Sequence, residues 1–150
     1  EIACKKAEKA GLTDITSFEQ GDCLALCYDE GSFDAVTVAY GVRNFEHLEQ
    51  GYKEMYRVLK RGGVLCVIEL STPRNPFIHA LYNFYTRRLI PLFGRSISKD
   101  ARAYSYLPES IAAVPQGDEM LTIMQRVGFT DCRYRTLTFS TCTIYLGVKP

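Results

Sequence analysis

Apolar and polar positions alternate most informatively between Phe33 and Ser71. The run Ala35 to Ala39 is short, partly β-branched and bounded by Asp34 and Gly41. The run Val64 to Leu70 is almost wholly apolar and follows Gly62-Gly63. Short apolar runs framed by turn residues predict strands of a parallel sheet buried on both faces. Between them, Leu48, Tyr52, Met55, Tyr56 and Leu59 recur at helical spacing. Asn44 stands where a helix N-cap is wanted, and Gly62-Gly63 where the helix should stop. Strand, crossover helix and strand form one right-handed βαβ unit. Ligands of such sheets bind beyond the carboxyl ends of the strands. Here those ends are Ala39 to Asn44 and Glu69 to Ser71, so chemistry is expected there.

The flanks extend the pattern. Residues 1–10 read as an amphipathic helix closed by Gly11, followed by a short strand over Ile15 to Phe18 and a turn at Gly21-Asp22-Cys23. Pro73 and Pro76 mark a loop, and Phe77 to Phe93 is helical in spacing and rich in aromatic residues, with Pro91 breaking it near its end. Helices are predicted around Glu109 to Ala113 and over Gln116 to Val127, the latter stopped by Gly128. Arg133 to Phe139 and Cys142 to Val148 read as an antiparallel hairpin with its turn near Ser140-Thr141. Helices alternating with strands define an α/β chain.

Composition narrows the class. With 150 residues, 47% hydrophobic, 23% charged and a net charge of +1, the chain reads as one soluble domain without a polyanion-binding surface, so no nucleic-acid partner is expected. No apolar run approaches the length of a membrane span. No signal peptide is visible, and Glu1 falls inside a predicted helix, so the first residue is not read as a natural start. Six cysteines without a C-x-x-C pair, and two isolated histidines, His47 and His79, predict reduced cytoplasmic thiols and no metal site.

Several motifs occur together. Arg57-Val58-Leu59-Lys60-Arg61-Gly62-Gly63 followed by Glu69-Leu70-Ser71, Tyr40-Gly41-Val42-Arg43-Asn44, Tyr104-Ser105-Tyr106-Leu107-Pro108-Glu109-Ser110-Ile111, and Gly128-Phe129 before the hairpin stand in that set. In this combination the chain resembles the ubiquinone/menaquinone biosynthesis C-methyltransferases along its whole length. It departs from them at Arg61, where the family usually has proline, and at Cys23, where it usually has alanine. The resemblance implies a Rossmann-like class I methyltransferase fold, with a mostly parallel sheet and a C-terminal antiparallel hairpin. It implies S-adenosylmethionine as cofactor and an isoprenoid quinol as substrate, either a demethylmenaquinol or the ubiquinone precursor. The family's Gly-rich loop after the first strand, and the acidic residue ending its second, have no counterpart. The resemblance therefore implies a single, N-terminally incomplete domain over residues 1–150. A sheet lacking its first strand exposes an edge, which invites a homodimer.

The same resemblance assigns roles. Asp22 would meet the adenine amino group, and the Cys23 amide a ring nitrogen; otherwise Gly21-Asp22 is a polar turn. Ala39 and Tyr40 would let the cofactor approach the strand end; otherwise they are core. Arg43 would stabilise the anion of a quinol hydroxyl next to the attacking carbon, because a free phenol titrates near ~10. Its other reading is an ion pair with Glu69 or Glu46 that shapes the loop. Glu69 is expected to be structural, fixing Arg43 or a backbone amide. Asn44 is either a helix cap or a substrate ligand. Asp100, Tyr104 and Tyr106 would line the quinone pocket, or be a solvated loop residue and packed tyrosines. His79 is read as a surface or cleft histidine. The Phe77 to Phe93 stretch would wall a tunnel for the tail, lie transiently on a membrane surface, or serve as a lid. Outside this class stand a non-catalytic α/β module and a methyltransferase for another small lipid-like substrate.

Overall fold

The computed structural model describes residues 1–85, 88 and 101–150, with side chains throughout these except at 101–105. Four strands form one sheet: β1 (Phe33–Ala39), β2 (Leu59–Leu70), β3 (Thr130–Leu137) and β4 (Cys142–Val148), in the order β1-β2-β4-β3. β1 pairs with β2 in parallel. The expected hairpin forms, but its first strand runs Thr130–Leu137 and leaves Phe139 in a 3-10 turn, and its return strand β4 lodges antiparallel between β2 and β3. Three strands thus share one direction and β4 opposes them.

The described helices are α1 (Ile2–Lys9), α2 (Leu48–Val58), α3 (Pro76–Phe84), α4 (Ala101–Ala113) and α5 (Asp118–Val127). α2 and α5 cover one face of the sheet. Tyr52 and Met55 from α2, Met120 and Met124 from α5, Leu65 and Val67 from β2, and Tyr145 from β4 form the core. The pleat of β4 points Gly147 at the same layer. A Cβ there would lie 2.8 Å from Met124 Cε and 3.2 Å from Phe129 Cβ, so glycine leaves room for both side chains. α2 ends without a glycine. Its orphaned terminal carbonyls are met instead by buried Lys149, whose Nζ donates to Leu59 O at 2.8 Å and Arg57 O at 3.3 Å.

Five local expectations change. Ile15 to Phe18 makes no strand: Thr13–Ile15 is a 3-10 turn and the residues after it lack a ladder partner. Gly62-Gly63 is not the helix stop, because Leu59 is already extended and both glycines lie within β2. α2 starts at Leu48 with His47 at its N-cap, so Asn44 caps nothing. α4 is longer than expected, and α5 begins two residues late, after Gly117 at φ 60°. Of the aromatic stretch, α3 and Tyr85 are seen as helical; beyond Tyr85, Arg88 apart, it lies outside the described residues, Pro91 included.

Leu65 is fully buried beneath α2 and α5. Leu65→Ala should therefore lower unfolding free energy by about 2–5 kcal/mol in a denaturant titration, with an unchanged slope.

Candidate functional site

β1 stops at Ala39 because Tyr40 turns the chain with φ 56°, a left-handed conformation uncommon outside glycine. A 3-10 turn, Val42–Asn44, follows and bends the Arg43 side chain back toward β2. Arg43 Nη1 donates to Glu69 Oε1 at 2.7 Å and to the Tyr40 carbonyl. Glu69 is buried at 1% exposure. It also accepts from the Arg43 amide (3.2 Å, Oε2) and from the Leu70 amide (2.9 Å, Oε1). Three donors, one of them charged, are what let a carboxylate persist in this layer. Of the two partners expected for Arg43, Glu69 is the one found. Arg43 Nε is buried and has no hydrogen-bond partner among the described residues. An unmet donor of this kind costs about 1–3 kcal/mol, and a ligand oxygen would remove that cost.

Asn44 Oδ1 accepts from the Tyr106 hydroxyl at 2.9 Å, which ties the turn to α4. Two of the four expected quinone-pocket residues therefore meet beside Arg43. Tyr104 lies in α4 with its side chain outside the described residues, and Asp100 falls outside them altogether. Tyr40 is half-exposed, and the neighbouring Cys142 side chain, with smaller contributions from burial and from Glu69, holds its phenol above the ordinary range. It is a neutral hydroxyl at physiological pH.

Asp22 is exposed, and its Oδ1 accepts from the Leu24 amide at 2.9 Å, an Asx turn. The adjoining loop is stapled to α2. Gln50 Nε2 holds Leu24 O (3.1 Å), Glu54 Oε2 accepts from the Leu26 amide (2.9 Å), and Arg57 donates to Leu26 O (2.9 Å) and Tyr28 O (2.7 Å). A hollow of about 220 Å³ opens beside it, with Gly21, Cys23, Leu26 and Tyr28 on its wall. Leu24 and Phe45 both pack over Gly51, where a Cβ would collide with the Phe45 ring. The Asp22 loop and the Arg43 turn therefore come together at the N-terminal half of α2. Ala39 is exposed at the end of β1 and offers a small side chain there.

Sequence reasoning missed the stapling residues. Arg57 opens one of the motifs, but capture of backbone carbonyls 29 and 31 residues away leaves no local signal. Among the described residues no group of His, Cys, Asp or Glu is placed to hold a metal ion, and no helix is long and apolar enough to cross a membrane.

Solved structures with this fold include S-adenosylmethionine-dependent methyltransferases. One from Thermotoga maritima, described as a possible histamine N-methyltransferase, superposes with a TM-score of 0.64 at 20% identity over 100% of this chain and 70% of its own. The [4+2]-cyclase SpnF gives 0.71 at 17% identity over 99% and 62%. At such identities the likeness concerns the fold. The family is shown by sequence: residues 1–149 match the ubiE/COQ5 methyltransferase family, and the chain belongs to it. A demethylmenaquinone methyltransferase of Bacteroides fragilis is 46% identical over 148 residues, which are 99% of this chain and 60% of that protein. A ubiquinone/menaquinone biosynthesis C-methyltransferase of Geotalea uraniireducens is 41% identical over 149 residues, 99% of this chain and 63% of that protein. The chain thus spans about three-fifths of the curated relatives it matches.

Two predictions follow from the stapling and the pairing. Arg57, chiefly through its hydrogen bond to Glu54, holds that carboxyl below its ordinary pKa. A depressed carboxyl contributes stability above its unfolded value, near ~4.3, and loses it as pH falls through the folded value. Hydrogen exchange at the Leu26 amide, corrected for intrinsic rate, should accelerate below about pH 4, and at pH 7 in Arg57→Ala. Glu69→Ala should cost about 3–5 kcal/mol in a denaturant titration by stranding the Arg43 charge, and Glu69→Gln clearly less.

Proposed function

We propose that the whole protein is an S-adenosylmethionine-dependent C-methyltransferase of quinone biosynthesis, acting on a demethylmenaquinol or the ubiquinone precursor. The observation that carries this reading is the Glu69-anchored Arg43 at the strand-end rim of a chain belonging to this family.

The residues present fit the cofactor's adenosine half. The exposed Asp22 carboxylate and the neighbouring Cys23 amide, beside a hollow, would hold the adenine. Ala39 and Tyr40 would admit the cofactor at the end of β1. When bound, S-adenosylmethionine supplies a methyl group already activated on a sulfonium. What remains for the chain is to position the acceptor and stabilise its oxygen anion. Glu69 fixes the Arg43 guanidinium, which would favour the anion at that oxygen. Arginine is too basic to take the proton, which leaves to water or another group. Asn44 and Tyr106, already hydrogen bonded to each other, would line the quinol ring, with Tyr104 and Asp100 as the further expected contacts. The reading brings two partner expectations with it. One is transient contact with the membrane surface that holds the substrate. The other, for this chain with its first strand lacking, is pairing of two copies along β1, whose outer side has no strand partner among the described residues.

In the whole protein, Arg43→Ala should lower quinol methylation about 10²–10³-fold while calorimetric S-adenosylmethionine affinity stays within about twofold. Arg43→Lys, which keeps a cation for Glu69, guards against mere unfolding and should fall between. Asp22→Ala should weaken S-adenosylmethionine binding instead. Undiminished turnover in Arg43→Ala would overturn the mechanism.

A further inference from the structure

α3 is an apolar helix that buries none of its residues. Phe77, Leu81, Phe84 and the adjoining Tyr85 are 78%, 60%, 56% and 54% exposed. Opposite it stands the β3–β4 turn, where Thr138, Phe139 and Ser140 take φ values of 48°, 55° and 66° in succession. Three consecutive non-glycine residues in the left-handed region are strained. The strain presents Phe139 outward, 78% exposed. Between helix and turn lies a groove of about 580 Å³, within the range of ligand pockets. Ile78, Leu81, Phe84, Tyr85, Phe139 and Thr141 form its wall, and no charged side chain lines it among the described residues.

The turn that walls the groove is tied to the end of β2. Ser71, two residues beyond Glu69, donates from its amide to Thr141 O at 3.0 Å and from its hydroxyl to Ser140 O at 2.9 Å. Cys142, next to Thr141, pairs with Leu70 in the ladder. One wall is therefore rooted in the rim that carries Arg43 and Tyr40.

We propose that this groove holds the polyprenyl tail of the quinol whose ring lies at that rim, a subsite that rests on the function proposed above. A hydrocarbon chain asks for no hydrogen bond or charge from its wall, and this wall offers almost none. A protein partner would be met by a polar rim, and a membrane-surface helix by more lysine and arginine than the Arg87-Arg88 pair that follows α3.

The chain has no tryptophan, so Phe139→Trp installs a single fluorophore at an exposed position on the groove. Geranylgeraniol should shift its emission to the blue saturably, whereas tail-less 1,4-dihydroxynaphthalene should not. Leu81→Asp in the same background should weaken the geranylgeraniol response at least tenfold, with the circular dichroism unchanged. A shift produced by phosphatidylcholine vesicles and not by geranylgeraniol would replace the subsite with a membrane-docking surface. No shift with either would overturn it outright. Tail binding that persists where quinol methylation is absent in the whole protein supports the groove and refutes the enzyme reading. Methylation with no tail binding does the reverse.

Discussion

Glu69 occupies a position in β2 that belongs, by the pleat of the strand, to the same buried layer as Leu65 and Val67. A charge in that layer must be compensated, or the strand end would not stay packed. Compensation comes from one short segment: the Arg43 side chain, the Arg43 amide and, within β2 itself, the Leu70 amide. Satisfying one carboxylate thus dictates where the chain turns after β1. The left-handed Tyr40 and the 3-10 turn are the backbone path that brings both Arg43 donors to it. Asn44, the last residue of that turn, is then displayed toward α4, where Tyr106 meets it. The exposed pairs Lys5–Glu1 and Lys60–Asp34 have no comparable consequence, since solvent screens them and nothing else hangs on their geometry.

Pairing also changes what Arg43 can do. A guanidinium whose Nη1 is held at 2.7 Å from a carboxylate acts on a third group as an oriented dipole with reduced net charge. Such an arrangement is suited to placing one N–H against an oxygen, at the expense of long-range attraction.

Where sequence and structure agree, the signal was local. Ala35–Ala39 and Val64–Leu70 are apolar runs that suit a sheet in any context, and the two β-prone segments at the end of the chain could pair only across a short turn. The ion pair of Arg43 with Glu69 was one of two alternatives visible in residue types alone. Where they diverge, a distant contact decided. Asn44 has the side chain of a cap, but the demand of Glu69 curls residues 42–44 into a separate turn, and α2 starts four residues later. Ile15 to Phe18 has strand-like residues but pairs with no ladder among the described residues. Lys149 ends α2 from the far terminus of the chain, so a glycine stop was sought where none was needed. Phe139 was assigned to a strand, and its strained turn becomes visible only with the groove it faces.

The two faces of the sheet make a last point about where function resides. β1 and β2 read as strands buried on both sides, yet α2 and α5 cover only one. On the other, Ala35, Thr37 and Ala39 are exposed, Val64 is 38% exposed, and Ile68 and Ile144 are partly so. An apolar surface of this kind normally has a cover. The site shows the same asymmetry: Asp22, the hollow beside Cys23 and the Arg43 donor are ordered from the covered side, where α2 holds both segments at one end. That side carries what recognises adenine and a phenolic oxygen in the proposed reaction. Since the fold is shared with a cyclase as well as with methyltransferases, it does not choose the chemistry. The choice lies in a few side chains at the rim, each held by a partner that packing cannot spare.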